Sequence, residues 1–230
     1  LIQMRKTLLD MRLVRAMRQI VFCNTAAILC FAETHVILKD KESKKGYDTM
    51  PLLKTKLYTI DDIYALPDGK RAELLDGRIY DMAPPSPLHQ ELVAVLTTSL
   101  QNYIAKKHGN CKVYPAPFAV FIKEDDSNYV EPDISLVCDH NKISNRGCEG
   151  APDFIIEIVS PSSRKMDYST KNALYADAGV REYWIVDPAR ERTTIYRYEE
   201  DVAPVIIPFG DTIKLKVYED FQICISDLLK

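Results

Sequence analysis

The sequence predicts an α/β (α+β) fold: a mixed central sheet flanked by helices, in three layers. Three observations carry this expectation. Residues 153–159 form a nearly continuous apolar run of the kind found in strands buried on both faces. Two helical patterns, near residues 88–106 and 164–178, bracket a block of strand patterns. A short strand pair flanks Asp76-Gly77, a strong local hairpin signal.

Taken in order, Thr59 followed by Asp62 opens a short helix through Leu66, which Pro67-Asp68-Gly69 ends. Arg71 to Leu75 and Arg78 to Met82 are the two hairpin strands, and the chain then turns through Pro84-Pro85-Ser86-Pro87. Leu88, Leu92, Val95, Leu96, Tyr103 and Ile104 recur at helical spacing, and Gly109 stops that helix. Strands are expected over Lys112 to Ile122, Val130 to Val137 and Asp153 to Val159. A second helix runs from Arg164 to Ala178 and ends at Gly179; further strands are Glu182 to Val186, Thr193 to Tyr198 and Ile213 to Val217. There is no internal repeat.

With 230 residues, the chain has room for one domain with a full core plus an appendage. Apolar content of 47% and charged content of 27% exclude wholesale disorder and fibrous classes. Residues 1–49 carry nine Lys/Arg against five Asp/Glu and differ from the rest, which we read as a single domain over residues 50–230. The first segment has three open readings: a start-site artefact upstream of Met50, an accessory helix, or an export signal built from Arg12, Arg15 and Arg18 ahead of a short apolar stretch. That stretch is too short and too interrupted for a membrane span.

Residues 50–230 have a balance of -7. Such a domain does not coat nucleic acid through its net charge, so any contact with phosphates must rest on a local basic patch or on bound metal. The six cysteines form no C-x-x-C pair and read as reduced thiols of a cytoplasmic protein. Cys138, His140 and Cys148 fit no zinc pattern. No Gly-rich nucleotide loop is present, so no nucleotide cofactor is expected.

Two carboxylates lie where carboxylates are costly. Asp133 begins the run Ile134-Ser135-Leu136-Val137, and Glu157 interrupts Phe154-Ile155-Ile156 and Ile158-Val159. A salt bridge or backbone donors would compensate Glu157; a divalent cation shared with Asp133 would keep both groups ionised. Lys171 falls on the inward stripe of the second helix with Asp167, Leu174, Tyr175 and Ala178. Its ammonium either snorkels to solvent or points at the carboxylates.

Pro132-Asp133, followed 24 residues later by Glu157-Ile158-Val159, resembles the PD-(D/E)xK nuclease signature. More closely, Glu73-Leu74-Leu75-Asp76-Gly77, Ser86-Pro87 with His89-Gln90, Pro115-Ala116-Pro117-Phe118, Pro132-Asp133-Ile134, Glu157-Ile158-Val159-Ser160-Pro161-Ser162 and Gly179-Val180-Arg181-Glu182-Tyr183-Trp184-Ile185-Val186-Asp187-Pro188 resemble the Uma-type restriction endonuclease family. The resemblance spans about Leu57 to Tyr198. It implies a restriction-endonuclease-like core, with Asp133 and Glu157 as metal ligands and a lysine acting on the attacking water or the scissile phosphate. The usual signature has its lysine two residues after the glutamate, where this chain has Val159; the Uma-type pattern carries it on the following helix, matching Lys171. Glu73 matches the family's first acidic position, as a metal ligand or orienting group, or else is an exposed strand glutamate. His89, in the first turn of the long helix, contacts phosphate or substrate, or is a polar surface residue.

The resulting expectation is an endonuclease that uses Mg²⁺ (or Mn²⁺) and cuts DNA, with a homodimer as the simplest way to cut both strands. The alternative is a catalytically inactive nucleic-acid-binding or accessory module of the same fold, with hydrolysis of another phosphate ester a weaker option.

Overall fold

A computed structural model describes residues 56–200 and 202–230. The expectations for residues 1–49 lie outside the described residues.

Helix α1 (Ile60–Tyr64) starts where the Thr59 N–H donates to the Asp62 carboxylate at 2.8 Å, and it ends two residues short of Leu66. Strands β1 (Ala72–Leu75) and β2 (Arg78–Asp81) form the expected hairpin. Its two turn residues, Asp76 and Gly77, both have positive φ, as a tight turn matched to strand twist requires. Helix α2 (Pro87–Lys106) is capped by Ser86, whose hydroxyl accepts from the His89 N–H at 3.2 Å, and Pro87 takes the first helical position.

The strand expected over 112–122 is broken: β3 (Lys112–Pro115) and β4 (Val120–Phe121) are separate. Pro115 and Pro117 cannot donate to a ladder, which ends pairing there. Likewise the 130–137 strand pairs regularly only from Ile134, as β5 (Ile134–Val137), because Pro132 interrupts it. Then come β6 (Cys148–Glu149) and β7 (Phe154–Ile158). The second helix opens with a π-helical turn, Met166–Lys171, before α3 (Asn172–Ala178), and Gly179 closes it with φ +88°. Strands β8 (Glu182–Asp187), β9 (Arg192–Arg197), β10 (Val205–Pro208), β11 (Thr212–Lys214) and β12 (Gln222–Cys224) follow, then the single turn α4 (Ile225–Leu228).

The six-stranded sheet has the order β10-β9-β8-β7-β5-β3. Within this sheet only β7 and β8 pair in parallel, joined by the helical crossover, as a parallel pair requires. The alternate residues of β7 point to different layers. Phe154, Ile156 and Ile158 pack with Leu92, Leu96 and Leu100 of α2 and with Ile213 and Phe221 beyond it. Ile155 and Val159 pack on the opposite side with Leu174, Tyr175 and the hairpin residue Leu75. The fold is the expected three-layered α+β arrangement. No helix among the described residues is long and apolar enough to cross a membrane.

The reading of all six cysteines as reduced thiols needs correction. Cys111 and Cys138 form a disulfide. The β3–β5 register pairs Lys112 with Val137, so these two cysteines are the next pair outward on the same ladder. Cys148 and Cys224 are free.

Candidate active site

The β5–β7 register sets the centre of the site. Ile134 pairs with Ile156, so Asp133, one residue before β5, stands opposite Glu157. Directly opposed like charges repel. Asp133 answers this at the strand end: its Oδ2 accepts the Ile158 N–H at 2.7 Å and lies 3.2 Å from His89 Nε2. The start of α2 and the edge of the sheet thereby meet at one carboxylate.

Glu157 is buried, and its Oε1 accepts from Lys171 Nζ at 2.8 Å and from the Tyr175 hydroxyl at 2.7 Å. Lys171 also reaches Glu73, at 2.9 Å to Oε1 and 2.8 Å to Oε2. Glu73 Oε1 in turn accepts the Glu131 N–H at 3.0 Å. The ammonium does not snorkel; it lies buried between two carboxylates. Val159, on the same face of the chain as Glu157, packs against Leu174 and Tyr175, so an apolar side chain fills the place of the usual lysine. The charge arrives from the helix instead.

Sequence reasoning placed Asp167 and Tyr175 on the inward stripe without giving them a role. Both belong to the site. Asp167 is buried, accepts from Ser163 Oγ at 2.7 Å, and adds a fourth carboxylate to Glu73, Asp133 and Glu157. Glu131 is a further omission: it accepts from the Tyr129 hydroxyl at 2.6 Å and pairs with Arg71, bracing the segment that leads into Asp133. Its adjacency to Pro132-Asp133 was the available signal.

The electrostatics follow from four carboxylates around one ammonium. Burial pushes the Glu157 carboxyl well above the ordinary range; Lys171 pulls it down, while Asp133, Asp167 and Glu73 push it further up. Burial likewise raises Asp167 to about 6 against the pull of Lys171 and Ser163. For Lys171 burial acts downward, but Glu157, Glu73 and Asp167 outweigh it and hold the amine protonated. Burial also lowers His89, and Asp133 more than reverses this. The site holds more negative charge than its own cations balance.

Whether a metal fits depends on which oxygens are free. Among the described residues, Asp133 Oδ1 and Glu157 Oε2 accept no hydrogen bond, whereas both oxygens of Glu73 engage Lys171. Glu73, expected among the metal ligands, stands in this arrangement as the counter-ion of the lysine. No three His, Cys, Asp or Glu side chains among the described residues are grouped to hold a metal ion. A cation would therefore rest on two carboxylate oxygens, with water and substrate completing its shell, which is the habit of Mg²⁺.

The family model described as "Putative restriction endonuclease" (Uma2) matches residues 60–226. The chain belongs to the Uma2 family. All the site residues above fall inside the match. This Uma2 protein is 26% identical over 150 residues to an uncharacterized protein of Synechocystis sp. (slr1290), covering 64% of this chain and 77% of the relative. Its fold is similar to that of a crystal structure described as "a putative nuclease belonging to DUF820" from Anabaena variabilis. The TM-score is 0.61 at 18% identity, over 74% of this chain and 96% of that one. These findings make the chain a member of a nuclease family with the corresponding fold.

Proposed function

We propose that this Uma2 protein is a Mg²⁺- or Mn²⁺-dependent endonuclease that hydrolyses phosphodiester bonds in DNA. One observation carries the reading: a cross-strand carboxylate pair, Asp133 and Glu157, each with a free oxygen, beside a lysine held protonated 2.8 Å from Glu157. Asp133 and Glu157 would hold the metal, which when bound supplies an acidified water and neutralises charge on the reacting phosphate.

The chain's own residues have separable tasks. Ile158 N–H and His89 fix the orientation of Asp133. Tyr175 and Lys171 both bind Glu157 Oε1, which leaves Oε2 as its ligating oxygen. Glu73 positions the Lys171 ammonium, which stabilises negative charge as it grows on the phosphate oxygens. His89, at the mouth of the site, donates to a phosphate oxygen or to Asp133.

Titration calorimetry with Mg²⁺ and Mn²⁺ tests the metal assignment. Asp133→Asn and Glu157→Gln are each expected to abolish binding at millimolar metal, and unchanged affinity in both variants would overturn it. A second reading, a non-cutting nucleic-acid-binding module, draws on the absence of a three-donor metal group among the described residues. It predicts DNA binding without cleavage at any metal concentration.

A further inference from the structure

The acidic balance of residues 50–230 leaves the source of DNA affinity to be found. A cleft of about 470 Å³ opens between the loop after β7 and the turn joining β8 to β9; Ser162, Arg164, Lys165, Tyr168, Arg190 and Arg192 line it. Four cations thus share one concavity. Asp187 is the carboxylate that meets them: Arg164 binds both its oxygens, and Arg190 approaches at 3.5 Å. Lys165 and Arg192 form no ion pair among the described residues, and the buried Nε of Arg192 has no hydrogen-bond partner there. The cleft therefore carries a surplus of positive charge that nothing in the described chain neutralises.

Its place in the fold ties it to the active site. The β7–β8 register pairs Ile158 with Val186, so the cleft walls leave the same sheet edge at which Asp133 meets Glu157. The loop itself is fastened to the site, because Ser163 donates to Asp167. Asp187 locks the loop from the other side through Arg164. A strand whose scissile phosphate sits at Asp133 and Glu157 continues naturally along this edge.

We propose that this cleft seats the backbone phosphates flanking the scissile one on DNA, and that Lys165, Arg190 and Arg192 supply the affinity that the domain's net charge withholds. The proposal rests on the reading of the chain as a DNA nuclease. Cations on phosphates release counterions, so binding weakens with salt in proportion to the contacts made.

The test is the salt dependence of binding to a labelled DNA duplex, measured by fluorescence anisotropy in EDTA on the full chain. Lys165→Gln/Arg190→Gln/Arg192→Gln is expected to reduce the slope of log affinity against log salt by about three, one for each cation removed, for any duplex sequence. Arg164 is left intact because it holds Asp187. Lys165→Gln/Arg190→Gln changes only exposed side chains and guards against misfolding; its slope should fall by about two. Wild-type slopes in both variants would overturn the cleft assignment while leaving the nuclease reading intact. If the wild-type chain neither binds the duplex nor cleaves it with Mg²⁺, the nuclease reading fails and the cleft proposal fails with it.

Discussion

At the scale of single residues, substitution separates the structural role of Lys171 from the catalytic role proposed for it. Lys171 balances two buried carboxylates, and removing one member of such a group typically costs about 3 to 5 kcal/mol. Lys171→Met is therefore expected to lower the melting temperature as well as the cleavage rate, the latter by about 10²- to 10³-fold. Adding Glu73→Gln should restore much of the stability and none of the rate. Recovery of cleavage in the double variant would contradict the catalytic assignment. Asp167 gives a pH signature. Its folded pKa, near 6, lies above the ordinary value of 3.8, so the folded state binds the proton more tightly and stability falls as pH rises between those values. Asp167→Asn should stabilise the metal-free protein at pH 7 by on the order of 2 to 3 kcal/mol, with the gain gone below pH 4. Melting curves across pH decide it; an equal gain at pH 3.5 would show another cause.

At the scale of elements, the loop 160–163 and the π-helical turn connect sheet to helix, and the Arg164–Asp187 pair ties that connection to β8. Burial acts upward on Asp187, but Arg164 outweighs it and holds the carboxyl below its ordinary range. This contribution is present above about pH 4 and is lost as pH falls through the lowered folded value. Asp187→Asn should cost about 2 kcal/mol at pH 7. It should also raise amide exchange in residues 160–171 more than in α2, and uniform exchange would contradict this anchoring. Long, strongly patterned elements were legible in the sequence. The apolar run 154–158 and the Asp-Gly turn were each expected and are present, whereas Ser86-Pro87, expected as the end of a turn, cap and open the long helix. Short strands such as β6 and β12 were not legible, because two or three residues carry no periodicity. Nor was the π-turn, since a helix with one wider turn keeps nearly the same inward stripe.

At the scale of the whole molecule, the sheet order does what local pattern cannot. It sets Asp133 beside Glu157 across 24 residues and brings Lys171 and Glu73 together from a helix and a hairpin 98 residues apart. The individual site residues were recognisable, because a carboxylate in an apolar strand and a lysine in an inward stripe both violate burial preference. The division of labour among them was not, for it depends on which oxygen each donor takes: Glu73 is spent on the lysine, while Asp133 and Glu157 each keep one oxygen free. The Cys111–Cys138 bond was hidden for the same reason, since only the β3–β5 register makes those residues neighbours. The central claim is that the Asp133–Glu157 pair performs metal-dependent cleavage of DNA, and conversion of supercoiled plasmid by the wild-type chain and by Glu157→Gln tests it most directly. Nicked and then linear plasmid should accumulate with Mg²⁺ or Mn²⁺, not with EDTA, and not with the variant. Supercoiled plasmid left intact by the wild-type chain with either metal, or cut as fast by Glu157→Gln, would contradict the account.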